Sequence, residues 1–164
     1  MSARVGVVLG SATDAAYAKE TTTTLDGLGI AHEVRILSAH RTPRELEVYV
    51  STVRERGLKV LIGLAGHAAA LPGVMAALTR LPVIGVPLPT SDLQGHDALL
   101  AVAQMPPGVP VATMAVGKPG ARNAAYLAAA ILALNDDVVA AALEDHRRTQ
   151  AERVLADDAK ANDQ

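Results

Sequence analysis

The sequence predicts an α/β protein: a three-layer α/β/α sandwich on a parallel sheet, with a helical arm at the C-terminal end. Three observations carry that expectation. Short β-branched runs alternate with longer stretches of helical spacing. Three of the five strand-like runs are almost continuously apolar, as strands covered on both faces are. Aromatic residues make up only 2% of a chain that is 50% hydrophobic, so its core is built from Ala, Val, Leu and Ile, which suits helices laid closely on a sheet.

Taken in order, "RVGVVLG" (Arg4 to Gly10) is the first strand, and helical spacing follows from Asp14 to Leu28. "HEVRIL" (His32 to Leu37) is the second strand, and the Thr-Pro pair after it opens a helix from Pro43 to Arg56. "KVLIGL" (Lys59 to Leu64) leads to a helix from Leu71 to Thr79, and "PVIGVPL" (Pro82 to Leu88) to a short one from Gly95 to Ala103. "PVATMAV" (Pro110 to Val116) is the fifth strand, followed by a helix from Gly120 to Leu134. Asn135 is placed to cap a last helix from about Asp137 to Ala156. Its apolar positions are sparse and charges cover most of its surface, so it is either a solvated tail or an arm reaching a neighbouring subunit. With 164 residues the chain reads as a single domain, 1–164, with a core of about 4–134 and the C-terminal helix at about 137–156.

Composition removes several function classes. A net charge of −2 and a pI near 6.2 give no electrostatic footprint for nucleic acid, and too few aromatics are present to stack single-stranded bases. With no cysteine, disulfides, thiolate nucleophiles and zinc–cysteine sites are excluded. No apolar run approaches the ~20 residues that span a bilayer. The opening "MSARVGVVLGS" lacks the pattern of a secretory signal, so a soluble cytoplasmic protein without a membrane partner is expected. Walker, dinucleotide and GxSxG signatures are absent, and the histidines stand singly, without HxxxH or HxH spacing. Neither a metal, a nucleoside triphosphate nor NAD is expected.

In open parallel sheets, ligands bind where the strands end and the loops turn into helices. The first such loop, "GSATD", resembles an anion cradle: Gly10 permits close backbone approach, and Ser11 and Thr13 offer hydroxyls beside a helix amino end. Asp14 would repel a phosphate and fits a sugar diol better. The plainer alternative is that Thr13 or Asp14 caps the helix. In "SAHRTP" the hydroxyl of Ser38, the imidazole of His40 and the guanidinium of Arg41 stand close together. Arg41 can bind phosphate bidentately, and His40, with an ordinary pKa near ~6.5, can move a proton at neutral pH. Alternatively, Thr42 caps the helix and both are ordinary loop residues.

The third loop, "AGHAAALPG", has backbone amides and few side chains, so a small flat molecule can lie against Ala65, Gly66, Ala70 and Leu71. The alternative is tight helix–sheet packing. His67 is its one titratable group. Asn123 either caps the last core helix or bonds a ligand. His96 reads as a surface residue at a helix start, and His32 and His146 as structural.

The ordered set "GSATD", "SAHRTP", "AAALPGVMAALTRLPVIGVP", "LQGHDALLAVAQMPPGVPVATMAVGKPGARNAAYLAAAIL" and "RRTQAERVL" resembles the N5-carboxyaminoimidazole ribonucleotide mutases, also called phosphoribosylaminoimidazole carboxylase catalytic subunits, from about Val5 to Leu155. The resemblance implies a flavodoxin-like sandwich assembled as a homo-octamer, with active sites at subunit interfaces and the last helix packed on a neighbour. It implies a carboxylate shift from exocyclic nitrogen to ring carbon of a ribonucleotide, with CO2 retained and no metal or organic cofactor. His40 matches the family's proton-transfer histidine, Arg41 and Ser11 its phosphate contacts, and Asp14 a ribose contact.

The chain departs from the family chiefly at one loop. The family usually reads "AGGAAHLPG" where this chain reads "AGHAAALPG", so His67 falls on a glycine and Ala70 on the second histidine. Thr13 replaces a serine and keeps a hydroxyl. Three readings follow: His67 reaches the same pocket and substitutes for the missing imidazole; the protein is a paralogue that decarboxylates or carboxylates a related ribonucleotide or heterocycle; or it is a non-catalytic ribonucleotide-binding protein. Retention of "SAHRTP" weighs against the third, since a binding module has no need of a titratable group beside its phosphate contact.

Overall fold

The three apolar runs become the middle of the sheet. In the computed structural model, which describes residues 2–162, they are β1 (Val5–Leu9), β3 (Val60–Gly66) and β4 (Val83–Leu88). Every residue of β1 and β4 is buried, as is β3 up to Ala65. β2 (His32–Ile36) and β5 (Ala112–Thr113) are the edges of an all-parallel sheet of order β2-β1-β3-β4-β5. β2 bears the mark of an edge in its exposed Val34 and Ile36.

Because side chains alternate across a strand, each central strand feeds two cores. Val5, Val7, Leu9, Val60, Ile62 and Leu64 meet α1 (Ala15–Gly27) and α5 (Lys118–Ala133) on one face. Val8, Leu61 and Ala65 meet α2 (Pro43–Thr52), α3 (Ala70–Leu78) and α4 (His96–Ala103) on the other. Small residues set the spacing. The buried face of α5 is Gly120, Ala121, Ala124, Ala125, Ala128, Ala129 and Leu132. Gly63 and Gly85, paired across β3 and β4, each leave room for Pro72 of α3.

Three expectations need correction. The fifth strand is two residues, not Pro110 to Val116, because Pro110 has no N–H to give the ladder; past Thr113 only Met114 and Gly117 still bond back to Gly85 and Pro87 of β4. The last helix, α6 (Asp137–Asn162), runs beyond Ala156, with no Gly or Pro to stop it and a Lys160–Asp157 pair on its final turns. Its cap is Asp136 rather than Asn135: Asp136 Oδ1 accepts from the N–H groups of Val138 and Val139 at 3.0 and 3.1 Å. The same carboxylate pairs with Arg4, tying the arm to the start of β1. Among the described residues, no helix is long and apolar enough to cross a membrane.

Candidate active site

Strand order decides where the loops meet. β2 and β3 flank β1, so the chain leaves β1 towards one side and returns to β3 on the other, opening a crevice at the carboxyl ends of adjacent strands. A cavity of about 650 Å³ lies there. The loop after β1 supplies Ser11, Thr13 and Asp14; the loop after β2, Ser38, His40 and Arg41; the end of β3 and the start of α3, Ala65, Gly66, His67, Ala70 and Leu71. The residues that the sequence nominates from these three loops therefore line one cavity.

In the first loop Ser11 caps the short 3-10 turn Ala12–Asp14, and Asp14 occupies the N-cap position of α1. Ser11 Oγ accepts from the Thr13 N–H at 3.3 Å and from the Thr13 hydroxyl at 2.9 Å. Both bonds use the oxygen of Ser11 as acceptor, which leaves its own proton for an anion. The Asp14 side chain makes no cap bond from that position and is 6% exposed. Burial raises its carboxyl above the ordinary carboxylate range; the Ser11 backbone, the Thr13 hydroxyl and the charges of Arg41 and His67 act the other way with less effect.

Arg41 ties the second loop to the first. Its Nη2 donates to the Gly10 carbonyl at 2.8 Å, and its Nε and backbone N–H reach Ser38 Oγ at 3.4 and 3.2 Å. The remaining guanidinium donors are free to face a phosphate beside Ser11. Thr42 does not cap α2 with its side chain; its Oγ1 closes the turn on Ser38 by accepting from the Ser38 N–H at 2.8 Å. His40 stands exposed between these fixed residues.

The third loop carries unusual backbone. His67 has φ 53° and Ala69 φ 39°, both in the left-handed region that L-residues with a Cβ avoid. An Ala69 N–H bond to the Gly66 carbonyl at 3.0 Å closes the turn. The His67 ring comes 3.3 Å from the hydroxyl of Thr90, which also lines the cavity.

Thr90 is the polar group that sequence reasoning missed. It sits in "PLPTSDLQGHD", the loop after β4, but nothing local shows that it meets the end of β3. His96 lies outside the cavity, its Nδ1 on the Leu93 carbonyl at 2.9 Å. Asn123 is exposed within α5, whose capping residue is Gly117, so it does not cap. His32 bonds the Ile30 carbonyl, and His146 stacks on Tyr126 with 4.5 Å between ring centroids.

A second cleft, of about 750 Å³, lies among α1, α5 and α6. Two of its charges are spent on each other, with Arg122 Nε 2.8 Å from Glu20, which Lys118 also reaches at 3.5 Å. The strand-end cavity has the free donors, the titratable rings and the bare backbone that ligand chemistry requires. Among the described residues, no three His, Cys, Asp or Glu side chains gather in a cluster suited to a metal ion.

Comparison with known proteins gives a consistent result. A family model described as AIR carboxylase matches residues 4–153. The chain is 52% identical over 155 residues to an N5-carboxyaminoimidazole ribonucleotide mutase from Pseudomonas aeruginosa, covering 94% of this chain and 95% of that one. It is 48% identical over 154 residues to a protein of the same name from Brucella melitensis, again covering 94% and 95%. Among solved structures, Treponema denticola PurE2-S38D is similar with a TM-score of 0.89 at 27% identity, covering 98% of each chain. Treponema denticola PurE gives 0.86 at 28% identity, covering 95% and 96%.

Proposed function

The chain belongs to the AIR carboxylase family, and from that membership we propose that it is a mutase of purine biosynthesis, moving a carboxylate from the exocyclic nitrogen of N5-carboxyaminoimidazole ribonucleotide to the ring carbon. The observation that supports this most is the convergence of His40, Arg41, Ser11, Asp14 and His67 on one cavity. Arg41 and the Ser11 hydroxyl receive the phosphate, while Thr13 orients Ser11 by donating to its oxygen and Ser38 holds Arg41 in place. Asp14 accepts from the ribose hydroxyls. The base lies against Ala65, Gly66, Ala70 and Leu71, where no long side chain intrudes.

Proton balance defines what His40 must do. Breaking the N–C bond of the carbamate releases CO2 and requires a proton on the nitrogen. The electron-rich ring carbon then attacks CO2, and rearomatisation releases the proton that this carbon carried. One imidazole can deliver the first proton and accept the second, because a ring nitrogen that has given up its proton is then a base. The family pattern sets a second histidine at position 70, and here a methyl group stands there. His67, three residues earlier in the same loop, supplies the second imidazole.

The cavity is open to solvent on one side, and CO2 set free in it needs a cover. We assign that cover to neighbouring subunits of a homo-octamer, with the site at the interface. The bare outer part of α6 and the exposed Leu134, Val138, Val154 and Leu155 support this reading. The reading also includes a cytoplasmic location, since a labile carbamate has to be used beside the reaction that makes it.

The test follows N5-carboxyaminoimidazole ribonucleotide through to the 4-carboxy product with the wild-type protein, His40→Asn and His67→Ala. Formation of the ring-carboxylated product, abolished by His40→Asn and lowered by His67→Ala, is the expected result. Loss of CO2 without ring carboxylation identifies a decarboxylating paralogue, and tight binding without turnover identifies a binding protein.

A further inference from the structure

Thr90 has no role in the scheme above, although its hydroxyl is the group that His67 meets. It lies two residues beyond β4, with Oγ1 at 3.3 Å from His67 Nδ1. The same hydroxyl is seated on Gly66: a Cβ added there would fall 1.8 Å from Thr90 Oγ1 and 3.1 Å from Thr90 Cβ. Glycine at the end of β3 is therefore what admits the threonine, and the threonine has little room to turn. The partner ring rises from a backbone equally restricted, with φ 53° at His67 and a bonded turn from Gly66 to Ala69.

An imidazole at the mouth of an open cavity otherwise has several rotamers and two nitrogens to offer. A hydrogen bond to Nδ1 selects among the rotamers and reserves that nitrogen. We propose that Thr90 is the positioning residue for His67: its hydroxyl, wedged on Gly66, fixes the ring and engages Nδ1, so that Nε2 is the nitrogen presented to the migrating carboxylate. Resting as it does on the assignment of His67 to the reaction, this inference adds the residue that makes such a displaced histidine usable. It also gives the loop after β4 a part in a site otherwise built by three other loops. Two carboxylates lie within electrostatic reach of the ring, Asp14 and Asp97, the latter held by the Ser91 hydroxyl at 2.9 Å.

A double-mutant cycle on the full chain tests the proposal. Thr90→Val keeps the shape of the side chain and removes the hydroxyl; it is expected to lower kcat about 10-fold through a misplaced ring, and Thr90→Ser to recover most of that loss. In a His67→Ala background, Thr90→Val is expected to change kcat by less than about 2-fold, since a residue acting through His67 has nothing left to act on. Nitrogen-15 shifts of the His67 ring give a second readout independent of turnover, with Thr90→Val altering Nδ1.

Equal losses in both backgrounds would show that Thr90 serves packing and overturn the proposal. So would an unchanged Nδ1 signal, or full activity of Thr90→Val beside an impaired His67→Ala. If His67→Ala turns over normally, the assignment of His67 fails, and the proposal falls with it.

Discussion

His67 carries its imidazole on a backbone turned to φ 53°. The left-handed region costs an L-residue about 1–2 kcal/mol, and glycine avoids that cost at some loss of chain entropy. His67→Gly is therefore expected to raise stability by about 1 kcal/mol in urea denaturation while lowering turnover. A lower midpoint would show that the ring's contact with Thr90 outweighs the backbone term. Asp14 shows the same opposition between stability and use. Its carboxyl is raised by burial, so the folded protein holds that proton more tightly than the unfolded chain. Its contribution to stability is fully present below the ordinary carboxylate value and is lost as pH rises through the folded-state value. Asp14→Asn removes the ionisation and is expected to be more stable than the wild type at pH 7, with the difference vanishing towards pH 4. Its KM is expected to rise several-fold, as the proposed ribose contact requires. Denaturation curves at the two pH values, with a titration of substrate, check both halves.

Among the elements, the closeness of α3 and α4 to the sheet is the property on which the site depends. A Cβ at Gly85 would lie 2.4 Å from Val102 Cγ1, 2.8 Å from Val111 Cγ1 and 3.2 Å from Pro72 Cβ. Gly85→Ala is thus expected to cost about 1–3 kcal/mol as an overpacked core. Because Pro72 follows directly on the loop that carries His67, its displacement is expected to lower kcat as well. A denaturation midpoint and a turnover rate on the same sample decide this; loss of stability with normal kcat would separate α3 from the site. The central strands were legible in the sequence because covered strands are apolar throughout. The fifth was not: "PVATMAV" has the composition of a strand, yet only Ala112 and Thr113 pair with β4. Proline at its start and a missing outer neighbour leave a run of β-forming residues unable to extend the ladder.

At the scale of the whole molecule, α6 is the element that its own subunit does not explain. Val139 is buried near its start, while every residue from Ala151 to Asn162 is exposed. Removing residues 151–164 is expected to leave the thermal midpoint within a few degrees, since little burial is lost. The sedimenting species is expected to become smaller, and turnover to fall with it, as the proposed cover from neighbouring subunits requires. An unchanged sedimentation coefficient would detach the arm from assembly.

The sequence by itself determined the four longer strands and the helices, which loops lie at the strand ends, and which residue types those loops carry. Those properties are written in local periodicity and residue type. Only the tertiary structure decided that the nominated loops share one cavity, because the order β2-β1-β3-β4-β5 sets β1 between β2 and β3. It also decided that Thr90, from the loop after β4, closes on Gly66 and His67. A contact between residues distant in the chain is produced by strand order and by the room a glycine leaves, and neither is encoded in the pattern of any single segment.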